Sequence, residues 1–364
     1  MFYVFLSIYL FCCSFSRNKR IFLLSNFLVF LFLSGAYCYG YDWIRYKAYF
    51  DDKFLYYSVE TWIYEPLFMA LYAIVKPLGL EYHWVVVLCA GIIGRNIYVF
   101  SKEKVNPNFA LFFVFSIFCF MEFMEQLRQG VAISFILLAY SALKNDNKKS
   151  FYINVMLATA FHISAVLCLF FIPLNKLMSS NYPKVKVIVL SALTFAGVEV
   201  AGYVINNAAL LGDFFIFHKL SGYSTDSSGL LSFGLFLNLA VVSICVLSIR
   251  ARTPQVYVSI VASIFVITSK SISIVFRFSY YGYVYVYDAF EFIFLQRSKV
   301  NKFAVNVILL VFALKPFLNP VYFAMLGQYN FFWTGWFFDS VDVSAIVHDK
   351  CSLLSSYDIK FCGY

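Results

Sequence analysis

One short stretch of this largely apolar chain concentrates polar side chains: Glu122-Phe-Met-Glu125-Gln-Leu-Arg128-Gln129-Gly130. A guanidinium suits phosphate, because it presents a rigid fork of donors and keeps its charge. A flanking Glu would orient it. The bland alternative is a turn with solvated charges, but a tight turn does not need five polar side chains plus a glycine. Further ionisable groups sit inside apolar runs: Arg95, His162, Glu199, Lys270, Asp288 and Glu291. Inside a membrane span such groups are costly unless they face a cavity or a partner. Asp288 and Glu291 are spaced to share a helix face, and Arg277 lies at the other end of the same helix. The structural alternative for each is an ion pair or a side chain that reaches the headgroups.

Other chemistries find little support. His83, His162, His218 and His348 show no ligand spacing, and there is no C-x-x-C, so no metal site is expected. Cys12, Cys13, Cys38, Cys89, Cys119, Cys168 and Cys245 lie in or beside apolar runs and read as small hydrophobes. Cys351 and Cys362 can pair if the tail is exported. Trp and Tyr cluster with carboxylates in Gly40 to Tyr64, the stretch that includes Asp42, Trp43, Tyr46, Tyr49 and Glu60. An interfacial aromatic belt explains such residues singly; together with carboxylates they also suit sugar, whose C–H faces stack on rings.

The elements that must position these groups follow from composition. Of 364 residues, 62% are hydrophobic and 13% charged, against about 25% charged in soluble domains. Aromatics reach 21%, and the mean hydropathy is +0.78. Disordered, soluble globular and nucleic-acid-binding proteins are excluded, and no nucleic-acid partner is expected. The net charge of +9 reads first as membrane orientation. No cytosolic nucleotide-binding domain, Gly-rich phosphate loop, linker or internal repeat is apparent. The chain reads as a single integral membrane domain, 1–364, with outer loops at about 40–64 and 206–229 and a tail at 320–364.

A bilayer core needs about 20 apolar residues per helix. The apolar runs are 2–15, 21–39, 62–80, 84–100, 107–121, 130–143, 151–172, 185–205, 230–249, 256–275, 278–295 and 303–318. Arg17, Lys19 and Arg20 follow the first run, which makes it a span rather than a removable signal peptide. If every run crosses, Lys144 to Lys149 falls outside, against the positive-inside rule. Two re-entrant runs repair this. The best candidates are 62–80, which opens with Glu65-Pro66, and 151–172, which has Phe161-His162 at its midpoint. The expected architecture is therefore all-α and polytopic, with about 10–12 transmembrane helices and re-entrant segments. Its inner loops contain only Glu103 and Asp146 as acids.

Several segments together resemble the EpsG-type family of bacterial polysaccharide polymerases, which perform the Wzy role for O-antigen and exopolysaccharide. They are Gly40-Tyr-Asp42-Trp-Ile-Arg-Tyr46, Glu65-Pro66-Leu-Phe68, Arg128-Gln-Gly-Val-Ala132, Phe161-His162-Ile-Ser-Ala165 and Arg277-Phe-Ser-Tyr-Tyr281. The order and spacing match across roughly residues 35 to 300. The resemblance implies a glycosyltransferase-C-like fold in the bacterial inner membrane, with its active site facing the periplasm. It implies no cofactor. The implied partners are undecaprenyl-diphosphate-linked oligosaccharide, membrane lipid and a chain-length regulator protein.

By that resemblance the growing glycan moves from its lipid diphosphate onto a fresh lipid-linked repeat unit. Arg128 and Arg277 would hold the diphosphate, and Asp42, Glu65 or His162 would be the general base. Gln129, Glu125 and Tyr281 are the further candidate contacts. The rivals are an O-antigen ligase, which usually has one dominant periplasmic loop; a flippase or other transporter, for which internal repeats are expected; and a polysaccharide acyltransferase, whose usual motifs are missing.

Overall fold

The computed structural model describes residues 2–35, 42–51, 65–206, 233–269, 273–296 and 298–318, with isolated positions between 345 and 355. Among them 90% are helical and none forms a strand, giving an all-α membrane protein. In chain order the helices are α1 (Phe2–Cys13), α2 (Lys19–Ser34), α3 (Asp42–Asp51), α4 (Pro66–Val75), α5 (His83–Lys102), α6 (Pro107–Phe118) and α7 (Leu127–Lys144). They continue as α8 (Lys148–Phe161), α9 (Phe171–Met178), α10 (Pro183–Asn206), α11 (Phe233–Leu247), α12 (Pro254–Thr268), α13 (Ser273–Leu295) and α14 (Lys299–Leu314). Among the described residues, each expected apolar run falls mainly on helix. Five stretches are long and apolar enough to cross a bilayer: His83–Lys102, Pro107–Glu125, Pro183–Val204, Gly234–Ala251 and Lys299–Leu318. The apolar helices at Phe2–Cys13, Pro66–Leu78, Ile163–Met178 and Pro254–Thr268 are shorter.

Local chemistry sets the helix starts. The Asn18 side chain accepts from the Arg20 amide at 2.8 Å, Asn106 from Phe109 at 3.1 Å and Asn147 from Ser150 at 3.0 Å. These are N-caps, which satisfy donors the first turn cannot. Pro107 and Pro254 occupy first-turn positions, where a missing amide costs nothing. The expected run 256–275 is divided instead of continuous. α12 stops at Thr268, and Val275 belongs to α13. At the end of α12 the Thr268 hydroxyl donates to the Ile264 carbonyl at 3.1 Å and the Ser269 hydroxyl to the Val266 carbonyl at 3.1 Å, side-chain bonds that compete with the helical backbone. Run 151–172 is also interrupted. His162 is extended (φ −154°, ψ 116°), and a 3-10 stretch, Ile163–Phe170, precedes α9.

The chain divides into two compact units, Met1–Val166 with Leu309–Tyr364, and Leu167–Ile308. The first is built around α6, whose residues Asn108 to Phe118 are buried on every side, as expected of a helix apolar all round. α1, α2 and α5 pack on α6, and α7 lies between α5 and α8. α4 rests on α5 and α8. In the second unit α12 is central and contacts α9, α10, α11 and α13.

Candidate functional site

In the first unit three helix ends meet. Glu65 precedes α4, with Pro66 at the first helical position. Its backbone takes the cap position (φ −146°, ψ 62°), but its side chain makes no cap bond. The carboxylate turns instead toward a guanidinium and an imidazole. Oε2 accepts from the Arg128 guanidinium, and Oε1 lies 2.7 Å from His162 Nδ1. Arg128 stands in the first turn of α7, and His162 terminates α8. Because α8 packs along both α7 and α4, three segments far apart in sequence deliver one cluster.

Exposure differs among the three groups. Glu65 is 6% exposed, whereas the side chains of Arg128 and His162 are 29% and 25% exposed. The carboxylate is the buried hinge, and the two nitrogen bases are the accessible faces. A buried charge needs a partner and hydrogen bonds, and Glu65 has both. Arg128 Nε is buried without a hydrogen-bond partner among the described residues.

Aromatic rings support the guanidinium. Arg128 Cζ lies 4.8 Å from the centre of the Tyr46 ring and 5.9 Å from that of Phe68, within cation–π range. Tyr46 sits on α3, where its hydroxyl donates to Asp42 Oδ2 at 3.4 Å. Burial, and then the Asp42 carboxylate, push the Tyr46 phenol well above its ordinary range, so it remains a neutral donor. Tyr72 on α4 donates to the Tyr46 carbonyl at 2.9 Å and fixes α3 over α4.

The polar stretch 122–130 does not form a solvated turn. Residues Cys119–Glu125 continue α6 as a π-helical segment, closed by the Gln126 amide on the Met121 carbonyl at 2.9 Å. Glu122, Gln126 and Gln129 are buried. Gly130 explains how this segment can pack on α7. A Cβ there would lie 2.3 Å from the Glu122 carbonyl oxygen, closer than any side chain permits. π-segments inserted in α-helices concentrate at functional sites; this one ends three residues before Arg128 and sets where α7 begins.

The structure therefore brings Glu65, Arg128 and His162 into direct contact. Asp42 joins through Tyr46, and Glu125 joins by accepting from the Asp42 amide at 3.3 Å. This places Glu125 at the N-terminus of α3, where a carboxylate is favoured. Gln129 is buried next to Arg128 in α7. Arg277 and Tyr281 lie on α13 of the second unit, the first half-buried and the second buried. The sequence reading offered Tyr46 only as one of several aromatics suited to sugar, and it did not single out Tyr46, Phe68 or Tyr72 as supports for Arg128, although Tyr46 follows Asp42 by one helical turn. No group of acids, cysteines and histidines among the described residues can hold a metal. Lys270 and most of the expected outer loops and tail lie outside the described residues; Cys351 is disulfide-bonded, and Cys362 is among the positions not described.

Fold and cluster together define a multi-pass, all-α membrane protein with an ionised site assembled from helix ends. Residues 19–332 match the EpsG family, and the chain belongs to it, the family of Wzy-type polysaccharide polymerases. The matched span includes the whole cluster. No curated protein and no solved structure matches the chain.

Proposed function

We propose that the protein is an O-antigen or related surface-polysaccharide polymerase of the bacterial inner membrane, acting at the periplasmic face on undecaprenyl-diphosphate-linked units. The observation that carries this reading is the Glu65 carboxylate held between Arg128 and His162. A guanidinium beside a base is what glycosyl transfer from a diphosphate requires. In this reading Trp62–Leu80 and Phe151–Ile172 are re-entrant, which puts Glu65 and the helix break at His162 near the membrane surface. The fold is then of the glycosyltransferase-C kind.

The roles divide by access. With both oxygens engaged and its side chain buried, Glu65 is a poor direct base. It orients His162 through Nδ1, leaving Nε2 to take the proton of the attacking sugar hydroxyl, as a carboxylate does for imidazole in hydrolytic triads. The hydroxyl oxygen bonds to the anomeric carbon of the growing chain, and the bond from that carbon to the diphosphate oxygen breaks. Undecaprenyl diphosphate departs with the bonding pair. Arg128, supported on Tyr46 and Phe68, stabilises the charge that accumulates on it. Asp42, bonded to Tyr46, is a sugar-hydroxyl acceptor at the edge of the cluster. On α13, Arg277 contributes positive charge for a phosphate group.

The test is the polysaccharide ladder of the host strain lacking this gene. The reading expects collapse to core plus one repeat unit, because ligation and export must still operate to display that unit. Loss of every repeat would point to a ligase or flippase instead.

A further inference from the structure

One corner of the first unit gathers cations from two separate elements. Arg17, Lys19 and Arg20 lie between the end of α1 and the first turn of α2, and all three are exposed. Lys102 closes α5 and is exposed as well. These residues are far apart in sequence, but packing brings them together. Phe22 stacks on Tyr98 with ring centres 5.5 Å apart, and the Lys102 ammonium lies 5.2 Å from the centre of that same Tyr98 ring. Lys19 stands one helical turn before Phe22, so Lys19 and Lys102 reach the same corner from different helices. The loop that carries Arg17 is held in place by Asn108. Its side-chain amide donates to the Ser16 carbonyl at 2.9 Å and to the Asn18 carbonyl at 3.3 Å.

Like charges held this close repel unless an anion offsets them. None of the four forms an ion pair with a described residue, and the first turn of α2 contains no acid. Glu103 follows Lys102 in the chain and is itself exposed. Membrane orientation accounts for basic loops, but not for two loops that place their cations on one corner. The surroundings indicate which anion fits. Lys102 ends a stretch long enough to cross a bilayer, so the corner lies where the apolar core meets water. One turn beyond Lys19 and Arg20, Leu23 and Leu24 are exposed, and Phe27 continues that strip along α2. A phosphate and an acyl chain joined in one molecule match this succession of cations and bare apolar side chains. A soluble anion would match only the cations.

We propose that this corner binds an anionic phospholipid, with Lys19, Arg20 and Lys102 on the headgroup phosphate and an acyl chain against Leu23, Leu24 and Phe27. Arg17 adds positive charge at the margin. Lys104, just beyond Lys102, bonds Ser141 in the last turn of α7, whereas Arg128 stands in the first turn. The corner is therefore at the far end of α7 from the Glu65–Arg128–His162 cluster, and the proposal does not depend on the polymerase reading.

The experiment uses the full-length protein in detergent and two phospholipids with the same diazirine-bearing acyl chains, phosphatidylglycerol and phosphatidylcholine. Labelled peptides are mapped by mass spectrometry. At equal mole fraction and low salt, phosphatidylglycerol should label residues 19–27 about tenfold more than phosphatidylcholine does. That labelling should fall by about fivefold in each of Lys19→Gln, Arg20→Gln and Lys102→Gln, and also when salt is raised to about 0.5 M. The double variant Lys148→Gln/Lys149→Gln removes two charges from the start of α8 and should change it by less than about twofold. Gel filtration checks that each variant remains folded. Equal labelling by the two lipids overturns the proposal and leaves the strip to bulk lipid and the cations to a soluble acidic partner. Labelling unchanged by all three single substitutions overturns it too. So does an equal fall in the Lys148→Gln/Lys149→Gln variant, which would mean that net charge alone attracts the lipid.

Discussion

Glu65 and His162 are separated by 97 positions in sequence, yet their side chains meet at 2.7 Å. Neither residue lies within a regular α-helix: Glu65 stands immediately before α4 and His162 immediately after α8. Helix ends supply side chains freed from regular packing, and backbone groups that require partners. Here Pro66 fixes one end, and the extended backbone of His162 fixes the other. The result is a polar centre within a chain that is otherwise almost entirely apolar.

Arg128→Ala should reduce chain extension by about 100- to 1,000-fold, the usual effect of deleting a preorganised charge-stabilising group. Membrane insertion and expression should persist, because α7 keeps its apolar body. Arg128→Lys should recover little, since an ammonium cannot reproduce the planar fork on Tyr46. Extension rates in proteoliposomes, together with immunoblots of the membrane fraction, check both statements. Normal chain lengths in Arg128→Ala would remove this residue from the mechanism.

Tyr46 separates support from hydrogen bonding. Tyr46→Phe keeps the ring beneath Arg128 and loses the hydroxyl's interactions with Asp42 and Arg128, so extension should fall less than about fivefold. Tyr46→Leu loses a cation–π contact worth about 0.5–2 kcal/mol and should slow extension by roughly tenfold. Equal activity in the two variants would show that the ring does not matter.

Gly130→Ala should destabilise the first unit by about 1–3 kcal/mol, the range for overpacking, because the new methyl meets the Glu122 carbonyl at 2.3 Å. Gly91→Ala is the matched control, since its Cβ would come no nearer than 4.0 Å to any neighbour, at Phe30. Thermal unfolding in detergent compares them. Similar midpoints would mean that the π-segment yields easily.

Much of this was legible in the sequence. Apolar run length located the helices, and Arg128, Glu65 and His162 stood out as polar residues in apolar surroundings. Their mutual contact was not legible, because it depends on how α4, α7 and α8 pack, and local patterns do not encode packing. The stretch 122–130 shows the same limit. Its composition argued against a merely solvated turn but could not show a buried π-helical continuation of α6, which depends on a glycine that admits a carbonyl at very short range. Tyr46 was legible only as an interfacial anchor or a sugar-stacking ring; its place beneath the Arg128 guanidinium depends on how α3 packs.

Glu125→Ala should loosen α3 without abolishing the cluster. Its carboxylate accepts from the Asp42 amide, and losing a helix cap costs about 0.5–2 kcal/mol. Amide exchange across residues 42–51 should accelerate, while the Arg128 and His162 segments stay protected. Unchanged exchange in α3 would show that the cap contributes nothing.

The central claim is that Glu65 acts through His162, and a double-mutant cycle tests it most directly. Single-turnover chain extension is measured for Glu65→Gln, His162→Gln and the double variant, in proteoliposomes with lipid-linked repeat units. Residues that work as one unit are strongly non-additive. The account predicts that His162→Gln is slowed by about 100- to 10,000-fold, and that the double variant is slowed no more than about threefold further. A double variant slowed by the product of the two single effects would contradict it, because Glu65 and His162 would then contribute independently.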